Sequence, residues 1–235
     1  MEKPIIFAPE MVRATLDGHK TQTRQVFKPQ PKWAIQNEGD KPEIFKNMYG
    51  QVDAVWYSPT YYPVNDGADF DFDWDAEWVK CPYAPGDILW VRETWAEIET
   101  PDKTITIYKA DRNPLGLGHT HFGYNGKIYH IKWRPSIHMP RSIARLFLLV
   151  KNIRTEQLQD ITHDDAVAEG VIEWIRNEYK SGSYLDNAMR GAACAKPERA
   201  FALLWDSLNA KRGYPWSSNP WVWVIEFEQT EVPYE

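Results

Sequence analysis

The run GHKTQTR, residues 18–24, sets a lysine, two threonines and an arginine directly behind a helical pattern. A hydroxyl beside a desolvated neutral amine can become a nucleophile, with the amine as its base. In a regular strand Lys20 and Thr23 would point to opposite faces, so they meet only if the chain bends between them. Glu169 is a second candidate. It falls in the last turn of a short predicted helix, where the dipole disfavours negative charge and favours a neutral proton donor. A third cluster is KWRPSIHMPR, residues 132–141. Its two prolines stiffen a stretch that offers Trp133, Arg134, Ser136, His138 and Arg141 to a base or a phosphate. In VRETW, Arg92 and Glu93 are neighbours. If extended, one of them points inward, and an inward charge needs a partner of the sort that lines pockets. Trp95, in the same run, offers a flat ring for stacking.

Each cluster has a plainer alternative: a solvated lysine, a surface glutamate, a rigid corner with polar edges. Metal chemistry has little support. His119 and His121 flank Thr120, and His130 and His138 follow, but neither HExxH nor CxxC spacing occurs. No metal site is expected, and no cofactor. Ser–His–Asp and Cys–His arrangements lack a local signature as well.

Several elements must position these residues. Pro4 to Phe7 reads as a short strand. Pro9 then opens a helix that Gly18 closes, with Val12 and Leu16 one turn apart on its buried side. Residues 28–80 are rich in Pro, Asp, Asn and Gly and read as an insertion. Its end, DFDFDWDAEW, alternates strictly and predicts a half-buried strand, which would form a lid or wall with Phe70, Phe72 and Trp74 turned inward. PGDILWVRETW predicts a turn and a central strand over 88–95. Further strands are expected at 104–110, 127–133 and 141–150. ITHDDAVAEGV predicts a capped helix, with Thr162 and Asp165 as a capping box and Gly170 as its stop. After an irregular stretch at 176–195, a helix opens at Pro197 with Phe201, Leu204, Trp205 and Leu208 as its apolar stripe. NPWVWVIEFEQ is the last strand. This pattern predicts an α+β fold. It alternates too poorly for a doubly wound sheet and lacks a glycine-rich phosphate loop.

The bulk properties narrow the function classes. The 235 residues suit a single domain over 1–235 with the insertion inside it. Two cysteines imply no disulfide framework and fit a reducing, cytoplasmic setting. No run approaches a membrane span. A net charge of −6 argues against coating duplex DNA, yet leaves room for a pocket that takes one nucleoside or a short single-stranded RNA. Twelve Trp and twelve Tyr would supply rings for stacking, though most must simply pack.

GHKTQTR resembles the signature of the ASCH superfamily: a glycine, a lysine two residues on, and a threonine three beyond. PGDILWVRETW, KWRPSIHMPR, the ITHDDAVAEGV helix and NPWVWVIEFE resemble the prophage-encoded ASCH branch, and together these blocks span nearly the whole chain. The resemblance implies a PUA-like small β-barrel flanked by helices, with a cleft for RNA or a nucleoside. A smaller member of the superfamily is an amidohydrolase that removes the acetyl group from N4-acetylcytidine. Its catalytic lysine, threonine and glutamate would correspond to Lys20, Thr23 and Glu169 here. Beside them, Arg24, Arg92, Glu93, Trp95, Trp133, Arg134, Ser136, His138 and Arg141 are the residues expected to bind substrate. One departure stands out: Arg24 follows Thr23 directly, and Gln25 occupies the place of the usual arginine. The expected activity is hydrolysis of an N4-acylated cytosine nucleoside. The alternatives are a non-catalytic reader of RNA or a modified base, and a phage accessory protein that binds a host protein.

Overall fold

In a computed structural model the described residues are 1–30, 43–46, 51–63, 70–111, 120–171 and 196–231, with side chains at 43, 45–46, 55–63 and 70–78 left undescribed. The central sheet has the order β1-β6-β11-β12-β2: β1 (Glu2–Ile6), β6 (Ile88–Arg92), β11 (Phe147–Gln157), β12 (Trp221–Thr230) and β2 (Gln22–Val26). Only β1 and β6 run parallel; the other ladders are antiparallel. The α+β class therefore holds.

The expected barrel does not close among the described residues. β1 and β2 end the sheet, and no ladder joins them. The outer edge of β2 is already taken. Thr21 N–H donates to Ala168 O at 2.9 Å, and Lys20 forms an isolated bridge with Glu169. An edge capped by a helix end cannot also receive a closing strand.

Both faces of the sheet are covered, which explains the nearly continuous apolar run in β12. Trp221, Trp223, Ile225 and Phe227 face one core with Ile5, Phe7, Val12, Leu89, Val91 and Leu148. Val222 and Val224 face a second core with Leu158, Ala166, Phe201, Leu204 and Trp205. Helix α1 (Pro9–Leu16) buries Val12, Ala14 and Thr15, whereas Leu16 is 43% exposed instead of buried. Helices α2 (His163–Ala168) and α3 (Pro197–Asn209) carry the second core, and the capping box between Thr162 and Asp165 forms as expected.

Several strand boundaries move; the strand expected over 104–110, for one, ends at Tyr108. The strand expected over 88–95 breaks at Glu93 and Thr94 into β6 and β7 (Trp95–Glu99), which pairs instead with β8 (Thr104–Tyr108). Residues 141–143 form a 3-10 turn after Pro140, and β11 starts only at Phe147. β11 then continues through the polar residues KNIRTEQ, because pairing with β12 compensates for their weak apolar pattern. A register shift between Val150 and Asn152 bends this long strand. β9 (His121–Tyr124) and β10 (Lys127–His130) form a separate hairpin, shorter than the strand expected over 127–133.

The 28–80 segment contributes a three-stranded antiparallel sheet of β3 (Glu43–Lys46), β4 (Val52–Pro63) and β5 (Phe70–Lys80). Val52, Ala54 and Val79 at its root are buried in the first core. In the β4–β5 ladder Phe72 stands opposite Tyr61 and Trp74 opposite Pro59. The inward aromatic face expected there lies outside the described side chains, and residues 176–195 lie outside the described residues altogether.

Candidate functional site

Lys20 and Glu169 meet. Gly18, in the left-handed region at φ 74°, ends α1 and turns the chain. The amides of His19 and Lys20 both donate to Ala14 O, at 2.8 and 2.9 Å, which lays Lys20 across the end of α2. There Lys20 Nζ donates to Glu169 Oε2 at 2.7 Å, to Glu169 O at 3.1 Å and to Gln22 O at 2.8 Å. These three bonds account for its three protons. The two side chains are 0% and 2% exposed. Burial pushes the Lys20 ammonium below the ordinary lysine range, Glu169 opposes that fall, and nearby Arg24 adds to it. Gly170 allows the close approach. A Cβ on it would come within 2.7 Å of Ala14 Cβ and 3.1 Å of Lys20 Cβ.

The other Glu169 oxygen belongs to Arg24, whose Nη1 donates to Oε1 at 2.9 Å. The same guanidinium bonds Glu156, lies 3.4 Å from Asp165 Oδ2, and sits 5.5 Å from the centroid of the Phe201 ring. Its side chain is fully buried. Arg24, expected to bind substrate, is thus placed among three carboxylates. Beside it, Arg154 bonds Glu226 and approaches Asp165 Oδ1 at 2.7 Å, while Gln22 Nε2 donates to Asp165 O at 3.0 Å and Oδ1 at 3.1 Å. Burial alone would raise the Asp165 carboxyl, but bonds from Gln22 and Arg154 outweigh it and draw it down to about 2. Lys20 and Arg24 each take one oxygen of Glu169.

Thr23 is buried in β2, 5% exposed. It lies opposite Ile225 in the β2–β12 ladder, while Arg24 lies opposite Val224. Alternation therefore turns Thr23 to the first core and Arg24 to the second. Among the described residues no hydrogen bond joins the Thr23 hydroxyl to Lys20 or Glu169.

The remaining candidates form a second group, in which residues 132–145 wrap the break between β6 and β7. Arg134 N donates to Trp95 O at 2.8 Å, and the Arg134 guanidinium stacks 4.7 Å from the Trp95 ring centroid while pairing with Glu97. Trp95 is buried beneath it, so its face is not open to a base. Glu93 is the inward residue of the Arg92–Glu93 pair. It is 1% exposed and accepts two bonds from Arg145, at 2.8 and 3.1 Å. Arg92 bonds Ile137 O and lies over Trp90. Arg141 pairs with Glu2 and lies over Phe147. Trp133 packs on a small core with Ala96, Ile98 and Ile131. Ser136 is half-buried and His138 exposed. Glu93 and Arg141 are thus paired within the protein, whereas Arg92 Nε and Trp95 Nε1 are buried with no hydrogen-bond partner among the described residues.

Sequence reasoning missed Gln22, Arg145, Arg154, Glu156 and Glu226. A usable signal existed: Arg154 and Glu156 recur at period two in a strand whose neighbour also carries Glu226, so charges had to share one face. An open cavity of about 570 Å³ lies at the starts of α2 and α3 among His163, Lys196, Arg199 and Trp216. Among the described residues no helix is long and apolar enough to cross a membrane. No family model, no curated protein and no solved structure matches the chain.

Proposed function

We propose that the chain is an ASCH-like, PUA-like protein that hydrolyses an N4-acylated cytosine nucleoside or a related modified base, with Lys20 and Glu169 as its proton-transfer pair. The observation that carries this reading is the 2.7 Å bond between Lys20 Nζ and Glu169 Oε2, formed across 149 positions of sequence. The crossing from β1 through α1 to β2 and the capped α2 also support it, because they bring the signature lysine to the later helix.

In the reaction, the oxygen of a water adds to the amide carbonyl as Glu169 takes its proton. Lys20 donates a hydrogen bond to the carbonyl oxygen as charge develops there. The C–N bond then breaks, and the proton passes from Glu169 to the leaving exocyclic amine. The products are a carboxylic acid and the unmodified base. Water is the nucleophile in this scheme because Thr23 faces the apolar core. Lys20 must exchange one of its three present bonds for the substrate.

A second reading has its own support. The full set of bonds on Lys20 and Glu169 suits a rigid clasp in a protein that binds a modified base without turning it over.

Incubation with a panel of acylated nucleosides, followed by mass spectrometry, separates the two. Hydrolysis expects free base, with turnover lowered about a hundredfold or more in Glu169→Gln that is folded by circular dichroism. Binding without turnover supports the second reading. Neither binding nor turnover rejects both.

A further inference from the structure

Three segments of chain converge on the cavity of about 570 Å³ that lies outside the Lys20–Glu169 clasp. His163 is the first residue of α2. Lys196, Glu198, Arg199 and Ala202 come from the start of α3, and Trp216 comes from a 3-10 turn (Trp216–Ser218) beyond the end of α3. That turn is tied down on both sides of the indole. Trp216 N donates to Asp206 Oδ1 at 2.6 Å, and Gln159 Nε2 donates to Trp216 O at 2.9 Å. The indole is half-buried, with its centroid 6.2 Å from that of Phe201 and the rings at 75°. It therefore rests on the second core and still borders the open space of the cavity.

Lys196 and Arg199 are exposed, and among the described residues neither side chain has an ion pair or a hydrogen bond. They stand next to each other on the first turn of α3, where Arg199 N donates to Lys196 O at 3.0 Å. Both side chains are donors only, so the group that joins them must be an acceptor. Glu198 lies 3.7 Å from His163 Nδ1, and one carboxylate against two cations leaves the lining net positive in a chain of charge −6.

We infer that this cavity binds a nucleoside monophosphate, with its phosphate between Lys196 and Arg199 and its base on Trp216. The planar fork of an arginine matches phosphate oxygens, and a lysine beside it adds a point charge. An indole takes any base by stacking. Glu198 offers an acceptor to a sugar hydroxyl. The volume falls within the range of about 300–1,000 Å³ usual for small-ligand sites. The inference does not depend on the reaction proposed for Lys20 and Glu169, which meet at the other end of α2. The sequence did not point here because Trp216 joins the α3 cations only after the chain has turned back beyond Gly213.

The test is isothermal calorimetry of the full chain at low salt with cytidine 5′-monophosphate, and with cytidine and inorganic phosphate as its two parts. Saturable binding of the nucleotide to one site is expected, with each part alone at least fivefold weaker. Lys196→Gln and Arg199→Gln should each weaken the nucleotide about fivefold or more. Lys127→Gln, an exposed lysine on the β9–β10 hairpin, should leave it unchanged. Absence of saturable binding, a loss below fivefold in either α3 variant, or an equal loss in Lys127→Gln overturns the inference. Inorganic phosphate or cytidine that binds as tightly as the nucleotide overturns it as well. All three substitutions are at exposed positions, and circular dichroism of each variant checks the fold.

Discussion

At the scale of residues, the Lys20–Glu169–Arg24 arrangement is held by compensation. A buried ion is costly, and its attraction to a partner repays that cost only when every proton and lone pair is satisfied. Glu169→Leu strands two cations and should cost about 3–5 kcal/mol in urea unfolding. Adding Lys20→Met removes one stranded charge, so the double variant should be more stable than Glu169→Leu alone. A double variant as unstable as the sum of the singles would contradict the coupling. Asp165 gives a pH signature. Its carboxyl is drawn down to about 2 in the folded chain, below the ordinary aspartate value. A depressed carboxyl adds stability above the unfolded value, and that stability is lost as pH falls toward the folded one. Urea midpoints should thus drop between about pH 4 and pH 2, and Asp165→Asn should flatten the drop. An unchanged slope in that variant would assign the drop to other carboxylates.

At the scale of elements, α2 is short, so its ends determine its position. Thr162 and Asp165 cap its start, while Glu169 and Gly170 dock its finish on Lys20 and Ala14. Gly170, at φ 81°, has both reasons to be glycine. A side chain there is strained by about 1–2 kcal/mol and meets Ala14 Cβ at 2.7 Å. Gly170→Ala should therefore destabilise the fold more than Gly213→Ala, where φ is 90° but no neighbour lies within 4 Å. Thermal unfolding of the two variants compares them. Equal effects would mean that the close approach is unimportant. The 28–80 segment shows a different dependence. Val52, Ala54 and Val79 tie its sheet to the first core, so its root belongs to the fold even though its composition reads as an insertion.

For the whole molecule, the charge of −6 and the burial of cations inside carboxylate networks point the same way. Arg24 and Arg154 are committed to Glu156, Asp165, Glu169 and Glu226, so they are not free to neutralise phosphates. Affinity for a short single-stranded RNA should then depend weakly on salt, with a log–log slope below about 3. Fluorescence anisotropy across a salt series measures it. A slope that implies six or more phosphate contacts would require a basic track elsewhere on the surface.

The sequence by itself determined the local structure. Pro9 and Gly18 bracket α1, Thr162 and Asp165 cap α2, the stripe of Phe201, Leu204 and Trp205 defines α3, and WVWVIEF forms a strand buried on both faces. These features are written in neighbouring residues, where sterics and hydrogen bonding act over one or two turns. The encounter of Lys20 with Glu169 was legible only through family resemblance. Tertiary structure decided the rest. Among the described residues it left the sheet open, because the end of α2 occupies the β2 edge. It set Thr23 on the face of β2 opposite Arg24, because β2 is regular from Gln22 onward, and it gave Arg24, Glu93 and Trp95 protein partners. Each of these depends on which strands pair and in what register, and pairing energies between segments distant in sequence leave no periodic trace in either segment alone.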